Sequence, residues 1–353
     1  MALFMTDAQK KPGMFGRILT PDAGWLAKQP VEAALEPDLP IVDTHHHLWD
    51  LPGSRYLVGE FADDTGTGHN IVQTVFLECH AMYRKDGPEA FRPVGETTFA
   101  AGLAAMSESG NYGPTRVAQG IVGLADLSLG EAVRPVLEAH IRAGDGRFRG
   151  VRYATAWDAS EVIGNSYTSD GPHMLARPEV RAGIACLASL GLSYDAWVFH
   201  PQLGDVVDLA RAMPDVNIIL GHCGGPLGYG PYANQRDAVF AAWKPKMVEL
   251  AALPNVTVKL GGMMMRLVAF DYNVVATSPS SAELAEMWKP YIETCIELFG
   301  PDRCMFESNF PVEKMGSGYV TLWNCFKRIT AGASSSEKTA LYSGTAKRVY
   351  RLG

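Results

Sequence analysis

Short runs of β-branched and aliphatic residues alternate with longer helix-like stretches over most of this chain. After a first run that ends at Ile41 and Val42, the pattern predicts strands at 71–77, 118–125, 148–153, 193–199, 216–220, 256–260 and 303–306. Apolar runs of this kind are typical of strands buried on both faces of a parallel sheet. Eight strand–helix units predict an α/β fold, a (β/α)8 TIM-like barrel. The alternative is an open doubly wound sheet, but no G-x-G-x-x-G turn follows the first strand.

Residues 1–40 do not share this pattern. Prolines at positions 12, 21, 30, 37 and 40 interrupt the segment, and only 24–35 is suited to a helix. We interpret 1–40 as an N-terminal arm that packs on a barrel formed by 41–353. Barrels of this size often form homodimers, and the arm is a candidate contact in one.

Charge and composition narrow the class of partner. The formal net charge is −7 and there is no basic run, which argues against a nucleic-acid or anionic-membrane partner. No stretch is apolar enough to span a bilayer, and the N-terminus lacks the features of a signal peptide. The six cysteines are scattered without a C-x-x-C pair, which favours a reduced cytoplasmic protein. A small molecule is therefore the expected partner.

The segment Asp43-Thr44-His45-His46-His47 follows the first predicted strand directly. Side chains at alternate positions of an extended chain share a face, so His45 and His47 are expected to point into one cavity, with Asp43 beneath them. His46 is expected to point the other way. Two imidazoles at this spacing can chelate one divalent ion or jointly hold a polarised carbonyl oxygen.

Polar residues recur at the carboxyl ends of the later predicted strands, where a barrel places its catalytic groups. They are Glu78, His80, Arg152, His200, His222, Glu307 and Asn309. Each of these residues, taken alone, is as compatible with a structural role as with a role in an active site. Their recurrence at equivalent places predicts an active site at that end of the barrel.

Four of these segments together resemble the amidohydrolase superfamily. They are Asp43-x-His45-x-His47, Gly150-Val151-Arg152, Gly221-His222-Cys223-Gly224 and Ser308-Asn309-Phe310-Pro311. The resemblance runs from about residue 41 to the C-terminus and is strongest to the amidohydrolase-2 branch, which includes lactonases of 2-pyrone-4,6-dicarboxylate and of sugar lactones. It implies a (β/α)8 barrel and hydrolysis of an ester or amide in a ring. It also matches the family's metal-binding histidines to His45, His47 and His222, and its strand-four arginine to Arg152.

The last strand departs from the family pattern. The family has an aspartate that deprotonates the attacking water, and this chain has Asn309 there. An amide does not act as a general base at neutral pH, although Asn309 can orient a water or bind a metal through its oxygen. Glu307 lies two positions earlier on the same strand face, and we hypothesise that it supplies the missing carboxylate. The alternative is a structural ion pair between Glu307 and an arginine such as Arg152.

The resemblance leaves the cofactor open. His45, His47 and His222 suit one Zn²⁺ or Mn²⁺ with an open position for water, while a metal-free branch of the family polarises the carbonyl with its histidines and arginine. Arg152 is expected to bind an anionic group of the substrate or an oxyanion, and His200 to have a role in the site. Trp49, His80 and Tyr153 are candidates for substrate contact, with packing as the alternative for each.

The leading hypothesis is a hydrolase that opens a polar or anionic lactone. A metal-dependent decarboxylase on the same barrel is the second hypothesis. The third is a binding protein without catalysis, because the family aspartate is replaced.

Overall fold

The computed structural model describes residues 21–265 and 276–353, and its centre is a sheet of eight parallel strands. The strands are β1 (Ile41–His46), β2 (Trp49–Leu51), β3 (Ser54–Tyr56), β4 (Ile71–Leu77), β5 (Arg116–Gly123), β6 (Phe148–Val151), β7 (Ser193–Ala196), β8 (Ile218–Leu220), β9 (Val256–Leu260) and β10 (Cys304–Phe306). Strands β2 and β3 form a separate antiparallel hairpin, and the other eight pair in chain order.

The first and last strands of the sheet meet and close it. His46 pairs with Phe310 in a parallel bridge. The Asn309 amide donates to the His45 carbonyl at 2.8 Å, and the His47 amide donates to the Phe310 carbonyl at 2.7 Å. The prediction of a (β/α)8 barrel is confirmed.

Helices surround the sheet, as the alternating pattern predicts. They are α1 (Ala23–Leu26), α2 (Val58–Thr65), α3 (Val94–Glu108), α4 (Arg134–Ala143), α5 (Pro178–Ser189), α6 (Leu203–Ala212), α7 (Arg236–Ala251), α8 (Ser281–Phe299), α9 (Tyr319–Ile329), α10 (Ser335–Thr339) and α11 (Thr345–Tyr350). The helix expected over 24–35 is wrong beyond residue 26. Pro30 has no amide hydrogen to donate to a helical carbonyl, and the segment after it runs without helical structure.

Three strands end earlier than predicted. Strand β5 ends at 123 rather than 125. Strand β6 ends at 151 rather than 153, and β7 ends at 196 rather than 199. After β7 the chain leaves the sheet, and the Trp197 carbonyl accepts from the Thr155 amide in the segment after β6, at 3.1 Å. The residues that follow β6 and β7 therefore lie outside the sheet, at the carboxyl end of the barrel.

The amino end of the barrel is filled, which leaves the other end for a site. A compact apolar cluster joins the strands to the C-terminal helix; it consists of Val42, Val75, Leu77, Val122, Ile219, Met305, Ala346, Tyr350 and Leu352. Above it, Lys259 lies 3.1 Å from Asp195 in a buried ion pair, and the Tyr350 hydroxyl donates to Asp195 at 2.7 Å. The two charges are paired with each other within the barrel rather than exposed to solvent.

The described part of the arm, 21–40, packs on the barrel. The Gln29 side-chain amide donates to the Ser278 hydroxyl at 2.8 Å and to the Pro279 carbonyl at 2.7 Å. The Leu35 amide donates to Asn324 of α9 at 2.8 Å. The boundary at residue 40 and a role of the arm in dimerisation stay predictions. Among the described residues, none of the helices has the length and apolar character needed to cross a bilayer.

Candidate active site

His45 and His47 project from the end of β1 into the same buried space, as their spacing predicts. Their Nε2 atoms are 3.1 Å apart, and the two side chains belong to residues only 1% and 4% exposed. His46 points the other way and stacks on Phe61 with 4.3 Å between ring centroids. Asp43 lies under the pair and accepts from the Ser308 amide at 2.8 Å, so it fixes β1 to the segment after β10.

The partners of the two imidazoles determine which nitrogen carries the proton. His47 Nδ1 lies 2.9 Å from the Leu77 carbonyl, which can only accept, so Nδ1 carries the hydrogen. The donor Arg152 Nη1 lies 3.3 Å from His45 Nε2, and a carboxylate oxygen of Glu307 lies 2.8 Å from His45 Nδ1, so the hydrogen of His45 is on Nδ1 as well. Both Nε2 atoms therefore present lone pairs to each other across 3.1 Å.

Burial keeps both imidazoles neutral. Burial, followed by the nearby charge of Lys259, lowers the pKa of His45 well below its usual value. Burial, followed by the charge of Arg152, does the same to the pKa of His47. A proton is therefore not held between the two lone pairs at neutral pH, and a cation is the chemical species that this arrangement favours.

Glu307 lies between His45 and His222 and contacts the Nδ1 atom of both. Its Oε1 accepts from His222 Nδ1 at 2.7 Å and from the His222 amide at 3.0 Å. Its Oε2 is 2.8 Å from His45 Nδ1, an ion-pair distance without good hydrogen-bond alignment. Burial raises the pKa of Glu307, but the contacts with His222 and the charge of Lys259 outweigh it, and the net pKa lies below the ordinary value. Glu307 is therefore an ionised carboxylate that orients two imidazoles.

The loop after β9 covers this carboxylate and His222. Gly262 has a φ of +67°, and a Cβ at this position would lie 2.2 Å from His222 Nδ1. Only glycine fits so close to the ring in this conformation. Gly262 thus allows the loop after β9 to pack directly against the His222 ring.

Arg152 is anchored by Glu78 rather than by Glu307, so the alternative of a Glu307–Arg152 ion pair is wrong. Arg152 Nε donates to Glu78 Oε1 at 2.6 Å, and Nη2 donates to the Glu78 carbonyl. The other Glu78 oxygen accepts from the Tyr167 hydroxyl. Arg152 Nη1 remains and lies 3.3 Å from His45 Nε2. One donor of the guanidinium thus faces the histidine pair.

These residues fit a single divalent metal ion. Two nitrogens bound to one zinc at ~2.0–2.1 Å lie roughly 3 Å apart, and the Nε2 separation of 3.1 Å agrees with this. His45, His222 and Glu307 also have ligand-type atoms within 4.8 Å of one another. We favour the Nε2 pair as the core of the site, because the Nδ1 atoms of His45 and His222 are engaged by Glu307. The cofactor prediction, one Zn²⁺ or Mn²⁺, is consistent with this donor set.

Glu313 is a buried carboxyl that the sequence pattern did not reveal. Its Oε1 accepts from Asn309 Nδ2 at 3.3 Å, and its Oε2 accepts from the Met264 amide. Burial raises the pKa of Glu313 to about 8, so it carries a proton at neutral pH. It ties the segment after β10 to the loop after β9, and Asn309 faces it. The only sequence signal was a glutamate four residues after Asn309, which alone predicts nothing.

The remaining predicted residues lie around this centre. Trp49 stacks near His47 with 6.1 Å between ring centroids, and its indole nitrogen donates to Ser54. His80 packs edge-on against Tyr167, the hydroxyl partner of Glu78, with 3.5 Å between ring centroids. His80 therefore contacts the Arg152–Glu78 pair through Tyr167.

His200 and Tyr153 lie farther out. His200 Nδ1 accepts from the Leu227 amide at 3.3 Å, and its ring lies edge-on to Tyr232. Within the described residues, no contact joins His200 to His45, His47 or His222. Tyr153 is 5% exposed and directly follows Arg152. Roles for these residues, and for Asn309 and Arg152 in catalysis, stay predictions.

The chain is similar to known proteins over most of its length. A family model described as amidohydrolase matches residues 42–352. The chain belongs to the amidohydrolase family. It is accordingly an enzyme of the hydrolase class, as predicted.

Individual relatives cover nearly the whole chain. A protein of Sinorhizobium fredii named only as uncharacterized protein y4mH is 33% identical over 89% of this chain and 99% of its own length. An L-fucono-1,5-lactonase of Burkholderia multivorans is 24% identical, covering 88% of this chain and 96% of that protein. A crystal structure of an amidohydrolase from Burkholderia multivorans with bound zinc is 23% identical, with a TM-score of 0.68 over 89% of this chain and 99% of that one. This structural similarity supports the fold.

Proposed function

We propose that the protein hydrolyses a lactone at the histidine cluster. The observation that carries the proposal is the convergence of two neutral Nε2 lone pairs, 3.1 Å apart, with a guanidinium nitrogen 3.3 Å from one of them. A cation held by such a pair, together with a hydrogen-bond donor, is able to polarise a carbonyl oxygen. The relatives named as L-fucono-1,5-lactonase support an ester in a ring as the bond that is cleaved.

The chain's residues account for the proton transfers of such a reaction. Water adds to the lactone carbonyl carbon, and His222 Nε2, which no described residue bonds, takes its proton. Glu307, on the Nδ1 side of that ring, orients it and stabilises the imidazolium that forms. The ring C–O bond then breaks, and His222 returns the proton to the alkoxide. The product is a hydroxy acid, which ionises and releases one proton per turnover.

In this mechanism Glu307 acts through His222 and is a positioning residue. Its two oxygens contact the Nδ1 atoms of His45 and His222, at 2.8 and 2.7 Å. The hypothesis that Glu307 itself deprotonates water stays a prediction, and it requires one of these oxygens to turn toward the substrate.

A divalent ion held by His45 and His47 would supply Lewis-acid polarisation of the substrate carbonyl. Because both Nε2 atoms carry lone pairs, neither imidazole donates a hydrogen bond to a carbonyl oxygen in this arrangement. Without an ion, polarisation would depend on Arg152 Nη1 alone. The geometry therefore favours the metal-dependent form of the reaction.

The charges around the site favour an uncharged, polar lactone over a strongly anionic one. Arg152 is paired with Glu78, and Lys259 is paired with Asp195. Apart from Arg152 Nη1, no buried cation among the described residues faces the histidines, so a strongly anionic substrate would find a single donor.

Proton release from a panel of lactones, including L-fucono-1,5-lactone and simple γ-lactones, tests the proposal. Turnover that disappears after chelator treatment and returns with Zn²⁺ or Mn²⁺, but not with Ca²⁺ as control, is the expected result. Turnover indifferent to the chelator would assign polarisation to Arg152. No turnover across the panel, with CO₂ released from aromatic carboxylic acids instead, would refute lactone hydrolysis in favour of decarboxylation.

A further inference from the structure

A cleft of about 650 Å³ lies beside the active site, between the segments that follow β4, β5 and β6. Its size falls within the range of small-molecule sites, which is roughly 300–1,000 Å³. Its walls are mainly apolar and include Tyr83, Pro93, Leu124, Leu129 and Tyr153, with Thr168 at one side. The lining also contains Asp126 and two charged residues that are exposed to solvent, Glu89 and Arg92. None of these residues belongs to the hydrolytic centre described above.

Three wall residues lie next to the groups that hold Arg152. Tyr153 directly follows Arg152 in the chain, and Thr168 directly follows Tyr167, which donates to Glu78. The Tyr83 ring lies 5.0 Å, centroid to centroid, from the ring of His80, which packs on Tyr167. The cleft therefore adjoins the side chains that hold Arg152 in place.

The chemistry of the cleft suits an uncharged group. Two tyrosine rings, Tyr83 and Tyr153, reach it from different segments, and Leu129 stands 39% exposed at its rim. The Asp126 carboxylate is engaged by the Ser128 amide and hydroxyl, at 2.9 and 2.5 Å. Flat aromatic walls favour apolar or ring-bearing ligands.

Beyond the Tyr83 wall, buried polar atoms lack partners. His80 Nε2, the Tyr83 hydroxyl and Glu96 Oε2 have no hydrogen-bond partner among the described residues. Glu96 is 1% exposed, and its other oxygen accepts from the Cys79 and Ala81 amides, both at 2.8 Å. These atoms are buried behind the wall rather than exposed to the cleft, so they add no polar partner for a ligand in it.

We propose that this cleft is a second substrate subsite, which binds an uncharged aromatic or aliphatic substituent of the lactone. The proposal rests on the proposed function, in that the lactone ring itself would lie at the histidine cluster. It assigns specificity to Tyr83, Leu129 and Tyr153, and it predicts a preference for lactones with an apolar substituent over the unsubstituted ring.

Two matched lactones test the subsite: γ-butyrolactone and γ-phenyl-γ-butyrolactone. The test variant is Leu129→Asp, which introduces a charge at a partly exposed rim position. The control is Val248→Asp on α7, at a position 47% exposed and outside the cleft lining. We expect Leu129→Asp to lower kcat/KM for the phenyl lactone roughly tenfold or more while γ-butyrolactone is unaffected. Val248→Asp should change neither. An equal effect of Leu129→Asp on both lactones, or none on either, would overturn the subsite.

A binding measurement separates this proposal from the proposed function. The probe is 2-phenyltetrahydrofuran, which keeps the phenyl-bearing ring but has no carbonyl to hydrolyse. Ligand-observed NMR should show binding to the wild-type protein that Leu129→Asp and Tyr83→Ala weaken and Val248→Asp does not. This result without lactone turnover would retain the subsite and refute the hydrolysis. Lactone turnover without any preference for the phenyl lactone, and without probe binding, would support the hydrolysis and refute the subsite.

Discussion

Replacing Glu307 with glutamine is the sharpest test of the candidate active site, because it changes charge and donor character at constant size. The amide oxygen can keep the Oε1 position, where it accepts from His222 Nδ1 at 2.7 Å and from the His222 amide at 3.0 Å. The amide NH₂ then faces His45 Nδ1 at 2.8 Å. Two donors cannot share that contact, so His45 must move its hydrogen to Nε2.

The size of the effect follows from these contacts. The contact with His45 then joins two neutral groups in place of a carboxylate, and hydrogen bonds to charged groups contribute about 1.5–3 kcal/mol. At about 1.4 kcal/mol per tenfold, this corresponds to roughly a 10- to 150-fold loss of kcat/KM. The proton on His45 Nε2 also removes the lone pair that faces His47, so metal affinity should fall roughly 10- to 100-fold.

The assay compares initial rates of proton release with the metal content of the purified protein. Glu249→Gln is the matched control, since Glu249 is a surface residue of α7 paired with Lys246 at 2.7 Å. Circular dichroism establishes that the variants fold. A Glu307→Gln enzyme with wild-type rate would refute every role assigned here to Glu307. A large loss of kcat with unchanged metal content would instead support Glu307 as the direct base.

Three further outcomes follow from the buried charges. Arg152→Lys should lower kcat/KM at least about tenfold with a stable fold, because one ammonium cannot replace the Glu78 contacts and the Nη1 donor together; unchanged lactone kinetics would contradict this. The pKa of the Glu313 carboxyl is 4.5 in the unfolded chain and about 8 in the fold. Between these two pH values the folded state binds more protons than the unfolded state, so the free energy of unfolding falls as the pH rises. Urea unfolding should therefore show Glu313→Gln gaining stability over wild type from the lower to the upper end of the window, and a constant difference would refute it. Lys259→Met should lower the unfolding free energy by about 3–5 kcal/mol, because it leaves the Asp195 carboxylate buried without a cation beside it. The double variant Lys259→Met, Asp195→Asn should recover part of this loss. A single variant as stable as wild type would show that the ion pair is not needed for stability.

Hydrophobic patterning was sufficient to predict the barrel, because each strand of a parallel barrel is buried on both faces. The same local rule placed His45 and His47 together and His46 on the opposite side, where it stacks on Phe61. Strand ends were predicted less well. The residues directly after β6 and β7, Arg152 and Trp197, still fit the strand pattern but lie outside the sheet and contact the histidines of the site, a change that patterning does not record.

The partners of the charged residues depended on tertiary structure. Glu78 and Glu307 both follow predicted strands, so the sequence does not determine which of them pairs with Arg152. In the fold, Arg152 pairs with Glu78. Glu307 is then left to contact His45 and His222. Pairing of this kind is decided by distances of a few ångströms between side chains from strands far apart in sequence, so no local pattern carries it.

The sequence by itself determined the barrel, its family and the set of imidazoles at the mouth, since these follow from periodicity and from short motifs on single strands. Only the tertiary structure decided the protonation of those imidazoles, because the tautomers of His45 and His47 are imposed by Glu307 and by the Leu77 carbonyl. It also revealed Glu313, whose raised pKa comes from burial. Burial and close approach are properties of the packed molecule, and they convert a row of polar strand ends into a site with defined donors and acceptors.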